Sequence, residues 1–245
     1  MKPQLNEIAL YFITDSKLTK KTILDDVKAA IKAGTKIIQY REKEKSTKEM
    51  LKEAAKIKEL CKLSNPKDSK GLEMSEKRSF SEHTPKSSIS DESKTFQKDK
   101  AIFLINDRID IALAVDADGV HLGNDDMPYE TARQLLGKDK IIGLTIHNVK
   151  EAKAAEQLGA DYIGVSPIFE TKTKLDAGPA SGIKLIEDVK KAVTIPFVAI
   201  GGINLENIGQ VIKAGATSAA VISAIITKDD VEAECKKFIN KLKAK

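Results

Sequence analysis

FVAIGGINLENIGQVIKAGATSAAVI, residues 197–222, reads as one complete repeating unit of a fold. Phe197–Ile200 and Ala219–Ile222 are short apolar runs bounded by turn residues. Runs of this length and type suit strands of a parallel sheet buried on both faces. Gly215-Ala216-Thr217 stands just before the second run. A glycine there fits a helix that ends in a left-handed turn before the next strand.

The same unit recurs along the chain. Ala33-Gly34-Thr35 and Gly159-Ala160-Asp161 precede other apolar runs, and Ala117-Asp118-Gly119 is a weaker copy. The remaining runs are Ile8–Ile13, Lys36–Tyr40, Ala101–Ile105, Gly119–Leu122, Ile141–Thr145 and Tyr162–Val165. Helical patterns such as Ile23-Val27-Ala30-Ile31 and Leu185-Val189-Ala192 lie between them. Eight strands alternating with about eight helices is the arithmetic of a (β/α)8 TIM barrel. The 245 residues suit one such domain or two small ones. A doubly wound open sheet is the runner-up, weakened because no Gly-x-Gly-x-x-Gly follows the first strand.

Residues 64–100 break the pattern. They carry eight Lys/Arg and seven Asp/Glu, many serines and few apolar residues. Such a stretch cannot bury enough surface to offset its ordering entropy, so it reads as a disordered insertion within the single 1–245 domain. Its place between the second helix and the third strand puts it on the face of the barrel away from the catalytic end.

Composition narrows the class. Hydrophobic residues are 41%, but aromatics only 4% and Trp is absent, so the core must be aliphatic. The net charge of +5 comes from lysines spread along the chain, without the basic, aromatic-interleaved stripe of a nucleic-acid binder. Cys61 and Cys235 form no metal-binding pattern and read as buried thiols. There is no signal-like run at Met1–Leu10 and nothing near the ~18 apolar residues of a membrane span. A cytoplasmic protein is expected, with no nucleic-acid or membrane partner.

In a barrel of this kind the active site forms at the C-terminal ends of the strands. After the second strand, alternation points Gln39, Arg41 and Lys43 the same way. Arg and Lys together suit an anion, since Arg grips oxygens in a fork and Lys adds a point charge; an ordinary polar strand end is the alternative. Asn106-Asp107-Arg108 follows the third strand, as either a cation-holding carboxylate or a helix cap. His121-Leu122-Gly123-Asn124-Asp125-Asp126 ends the fourth. Asp107 and Asp126 on neighbouring strands would suit Mg²⁺, which takes one or two carboxylates plus phosphate and water. The long loop after the sixth strand contains Thr171-Lys172-Thr173-Lys174, fit to bind phosphate or cover it, or simply to be solvated. Gly201-Gly202 after the seventh strand and Ile222-Ser223 after the eighth occupy the usual phosphate site. Two anion sites suggest two phosphorylated small-molecule substrates.

Together these stretches resemble the thiamine-phosphate synthase family. The resemblance is carried in order by Tyr11–Asp15, Gln39–Lys43, Ile105–Arg108, Asp118–Gly123, Pro167–Lys174, Ala199–Ile203 and Val221–Ile225. It implies a transferase that joins hydroxymethylpyrimidine diphosphate to a thiazole phosphate, often in carboxylated form with loss of CO2, and releases diphosphate. By match, Gln39, Arg41, Lys43, Asn106 and Lys174 would bind the pyrimidine diphosphate. Thr145, at the end of the fifth strand, would meet the pyrimidine. Asp107 and Asp126 would hold Mg²⁺. Thr171, Thr173, Gly202, Ile222 and Ser223 would bind the thiazole phosphate. Arg41, Lys43, Lys174 and Thr145 would carry the catalytic work.

The chain departs from the usual pattern at four places: Tyr40 for Leu, Asn124 for Gln, Thr145 for Ser and Glu170 for Pro. Tyr40 should point away from the site. His121 and His147 read as structural or supporting positions. A thiazole tautomerase on the same barrel would need no diphosphate or magnesium set, and a non-catalytic sensor would have lost part of it.

Overall fold

The computed structural model describes residues 5, 9–62, 100–171, 173 and 178–244. Strands β1 (Leu10–Ile13), β2 (Ile37–Tyr40), β3 (Ile102–Asn106), β4 (Gly119–Leu122), β5 (Ile141–Ile146), β6 (Tyr162–Val165), β7 (Phe197–Ile200) and β8 (Ala219–Val221) pair in parallel in chain order. β8 closes on β1 through Leu10 opposite Ala219 and Phe12 opposite Val221. The chain is a closed (β/α)8 barrel, as the repeat predicts.

Helices α1 (Ile23–Lys32), α2 (Thr47–Lys62), α3 (Ile109–Ala114), α4 (Tyr129–Leu136), α5 (Val149–Leu158), α6 (Ile183–Ala192) and α7 (Ile208–Lys213) connect the strands. After β8 come a four-residue helix, α8 (Ser223–Ile226), and the longer α9 (Val231–Lys243). The repeat did not announce that extra short helix. Several starts are fixed locally: Thr22, Asn148 and Asp230 each accept a backbone N–H from the first turn that follows.

Strand alternation divides the core in two. Outward residues such as Phe12, Ile38, Phe103, Val120 and Ile163 pack under the helices. Inward residues, among them Tyr11, Ile13, Ile37, Leu104, Ile141, Tyr162, Val198 and Ala220, fill the barrel. Two of those inward side chains are tyrosines, which an aliphatic core does not call for.

The glycines at 34, 159 and 215 all take positive φ (95°, 86° and 104°), as the recurring turn requires. The weaker copy works differently. There Asp116 takes the left-handed turn at φ 51°, while Gly119 lies inside β4, where a Cβ would overlap the Ile141 carbonyl.

The α2–β3 connection holds residues 64–99, which lie outside the described residues, so the disordered-insertion reading lies outside them too. Lys100 is described, with its ammonium 3.7 Å from Asp118. Cys61 and Cys235 are buried cysteines not joined in a disulfide, and burial pushes both thiols up to about 12. Among the described residues no helix is long and apolar enough to cross a membrane.

Candidate active site

The C-terminal rim surrounds one pocket. Gln39, Arg41, Lys43, Asn106, Asp107, Asp126, Thr145, Thr171, Thr173, Gly202, Ile222 and Ser223 all line it. Lys174 lies outside the described residues.

β1 and β2 build the basic side. Thr14 clamps the two strand ends, with its hydroxyl accepting from the Arg41 N–H at 3.0 Å. The Arg41 guanidinium pairs with Asp15 at 2.7 Å, both side chains being largely shielded. Asp15 holds Arg41 in place, a partner that strand-end reading does not reveal. Glu42 alternates away from the pocket and accepts the backbone N–H groups of Lys43 and Glu44, each at 2.8 Å. Burial works to raise the Glu42 carboxyl, but these backbone donors hold it below the ordinary carboxylate range. Glu42 thus shapes the turn that carries Lys43. Tyr40 also points away, donating its hydroxyl to Glu53 on α2 at 2.8 Å, as expected.

β3 and β4 supply the carboxylates. Asp107 sits at φ 60°, a left-handed conformation uncommon for a non-glycine residue, and its N–H donates to the His121 carbonyl at 2.9 Å. The helix-cap alternative fails: Arg108 precedes α3, with no side-chain cap there. Lys43 Nζ lies 2.6 Å from Asp107 Oδ2. Asp126 Oδ2 accepts the Gly123 N–H at 2.6 Å.

The two carboxyls also act on each other's protonation. Burial, then Asp107, push Asp126 up to about 6. Burial would raise Asp107 as well, but Asp126 and Lys43 outweigh it and hold Asp107 below its ordinary value. The opposite shifts are those of neighbouring carboxyls that cannot both ionise cheaply, so that one holds its proton more tightly than the other. A cation in that proton's place relieves the same repulsion. The donor set therefore fits Mg²⁺, provided that water or substrate oxygens complete the shell. Among the described residues no group of three or more His, Cys, Asp or Glu could hold a metal.

The opposite side is backbone-rich. Gly201 and Gly202 take φ of 105° and 61°. A Cβ at Gly202 would overlap the Glu170 carbonyl, and one at Gly201 would meet Pro167 at 2.6 Å. The loop after β6 thus lies directly on the loop after β7, tied by Phe169 N–H to Gly201 O at 3.0 Å. Asn207 holds the same turn by donating to the Gly202 carbonyl at 2.9 Å. Ser223 opens α8, so this rim has the loop-and-short-helix form of a barrel phosphate site.

The floor is a hydrogen-bonded row. Gln39 Nε2 meets the Tyr11 hydroxyl at 2.7 Å, which meets the Tyr162 hydroxyl at 2.8 Å. His121 lies 2.9 Å from Tyr162 through Nδ1 and 2.9 Å from Thr145 through Nε2. His121 thus touches two other pocket residues and itself lines the pocket. His147 stands apart beside Glu151 and Asn124. Tyr11 and Tyr162 escape motif reading, although a tyrosine at an inward position of an aliphatic strand is a usable signal.

A rim pocket with a basic side, a carboxylate pair and a glycine-rich loop defines a barrel enzyme for small molecules. The model of the family described as thiamine monophosphate synthase matches residues 10–66 and 76–225. A thiamine-phosphate synthase of Methanosarcina barkeri is 48% identical over 98% of this chain and 92% of its own length. One from Methanosarcina mazei is 49% identical over 96% and 83%. The structure of a thiamine phosphate pyrophosphorylase from Pyrococcus furiosus is 33% identical, with a TM-score of 0.75 over 97% of this chain and 96% of that one. The chain belongs to the thiamine monophosphate synthase family. It is a transferase of thiamine biosynthesis, and the tautomerase and sensor alternatives give way to that.

Proposed function

We propose that the pocket joins hydroxymethylpyrimidine diphosphate to thiazole phosphate, in plain or carboxylated form. The observation that carries this is the arrangement of the rim, with Arg41, Lys43 and the Asp107–Asp126 pair on one side and Gly202 and Ser223 on the other. Two anions of different size then face each other across one cavity. The pyrimidine diphosphate takes the basic side, where Arg41 and Lys43 oppose its charge and Gln39 and Asn106 orient it. Thr145 meets the pyrimidine ring. Lys174 joins this group by family pattern. Thr171, Thr173, Gly202, Ile222 and Ser223 take the thiazole phosphate.

The methylene C–O bond of the pyrimidine breaks and its electron pair leaves on diphosphate. The thiazole nitrogen then forms the new C–N bond to that carbon; from the carboxylated substrate, CO2 departs afterwards. Arg41 and Lys43 stabilise the charge that grows on the leaving diphosphate, where a preorganised contact lowers the barrier most. Asp107 and Asp126 would hold Mg²⁺, which supplies further neutralising charge to the diphosphate when bound. The reaction needs no protein nucleophile.

The test combines the full chain, both substrates and Mg²⁺, then oxidises the product to its fluorescent thiochrome derivative. Thiochrome appearing only with both substrates and metal is the expected result. No such product, or equal formation in chelator, overturns the reading.

A further inference from the structure

We infer that the row Gln39–Tyr11–Tyr162–His121–Thr145 runs with one hydrogen-bond polarity, making Thr145 a donor into the pocket and Tyr11, Tyr162 and His121 positioning residues for the substrate. The row is built from four contacts of 2.7 to 2.9 Å that cross the barrel interior. Tyr11, Tyr162 and Gln39 are buried, so these contacts do not exchange freely with bulk water. The barrel makes space for them. A Cβ at Gly143 would overlap the Tyr162 ring, and one at Gly164 would come within 3.1 Å of the His121 ring.

Counting hydrogens gives the direction. The Gln39 amide nitrogen faces Tyr11 and can only donate. The Tyr11 oxygen accepts there, so its own hydrogen goes to the Tyr162 oxygen. The Tyr162 hydrogen then goes to His121 Nδ1, which must be unprotonated. A neutral imidazole with a bare Nδ1 carries its hydrogen on Nε2 and donates it to Thr145 Oγ1. The Thr145 hydroxyl hydrogen has no place left in the row and turns to the pocket. Burial raises both tyrosines above the ordinary phenol value, so both keep the hydrogens this count requires. An imidazolium would donate at both nitrogens and leave one of the two phenol hydrogens without an acceptor in the row.

The consequence is specificity. A donating Thr145 selects an acceptor atom, such as a ring nitrogen, and is mismatched with a donor. This rests on the pyrimidine being the ring that Thr145 meets, but the polarity can be read without any substrate.

The experiment is long-range ¹H–¹⁵N correlation on the full chain labelled at histidine. The chain has three histidines, and His83→Gln and His147→Gln variants assign the His121 signals by elimination. The expected pattern has the proton on Nε2 and a bare Nδ1. Gln39→Glu replaces the donor with a carboxylate that only accepts, so the row reverses and the His121 proton moves to Nδ1. In parallel, Tyr11→Phe cuts the row. It should lower kcat/KM for the pyrimidine substrate about tenfold and leave KM for thiazole phosphate within twofold. Adding Tyr11→Phe to Thr145→Val should cost little beyond Thr145→Val alone. A proton on Nδ1 in the unmodified chain, or no change of tautomer in Gln39→Glu, overturns the inference. So does strictly multiplicative loss in the double variant. The expected tautomers in a chain without synthase activity would instead sink the functional reading and leave the polarity standing.

Discussion

At the scale of single residues the Asp107–Asp126 pair gives the sharpest prediction. Asp107→Asn or Asp126→Asn should slow turnover about 100- to 1,000-fold, the ~2.7–4 kcal/mol that one strong transition-state contact is worth. Turnover titrated against Mg²⁺ should show right-shifted curves, partly rescued by excess metal, and curves matching the unsubstituted chain would refute the assignment. The pair also predicts a pH effect in metal-free protein. Asp126 is raised in the folded state, so its contribution to stability is full below the ordinary value of 3.8 and is lost as pH rises through about 6. Thermal unfolding of the metal-free chain from about pH 4 to 7 should therefore lose stability relative to Asp126→Asn, while Asp107, held low, titrates below that window. Parallel pH profiles for the two proteins would contradict the tighter hold of Asp126 on its proton. Gly202 is the second case. An alanine there must hold a left-handed backbone, costing about 1–2 kcal/mol, and must also displace the Glu170 carbonyl. Gly202→Ala should lower the melting temperature and raise KM for thiazole phosphate at least several-fold. Unchanged values of both would show that the two loops can part freely.

At the scale of elements, β2 shows what alternation decides and what it does not. Gln39, Arg41 and Lys43 turn inward and Tyr40 and Glu42 outward, which the period of two makes legible in the sequence. What the outward residues touch is not local information. Tyr40 reaches Glu53 on α2, which also takes Lys45 at 2.8 Å. Tyr40→Phe should cost about 0.5–1.5 kcal/mol in urea unfolding and leave turnover unchanged, since the hydroxyl serves the strand–helix seam alone. A tenfold fall in turnover without loss of stability would mean that β2 transmits strain to Arg41. The weak repeat at Ala117-Asp118-Gly119 teaches the reverse lesson. Its glycine looks like a turn residue but makes room for the β5 backbone, because Asp116 had already made the turn.

At the scale of the whole molecule, the barrel puts every strand end on one rim and every helix–strand return on the other. In sequence, residues 64–99 fall between α2, which ends at Lys62, and β3, which begins at Ile102. Replacing that segment with a short linker, and keeping Lys100 beside Asp118, should leave turnover within a few-fold. Loss of soluble folded protein, or of nearly all activity, would show that the segment has a part in the fold or the site.

The barrel and twelve of the rim residues were legible in the sequence for a physical reason. A βα repeat with glycine-ended helices is a local pattern, and once it closes, topology alone carries Arg41, Asp107, Asp126, Gly202 and Ser223 to the same mouth. Pairing across the barrel is another matter. Tyr11 and Tyr162 are 151 residues apart, yet their hydroxyls touch, and Asp15 meets Arg41 only because β1 and β2 lie side by side. Side-chain periodicity states which way a residue faces but not how far it reaches or what stands opposite. Those depend on barrel width, strand register and the gaps left by Gly143 and Gly164. So the sequence by itself determined which residues face the pocket, while only the tertiary structure decided which of them share protons, because a hydrogen bond requires an approach within about 3 Å that no one-dimensional pattern encodes.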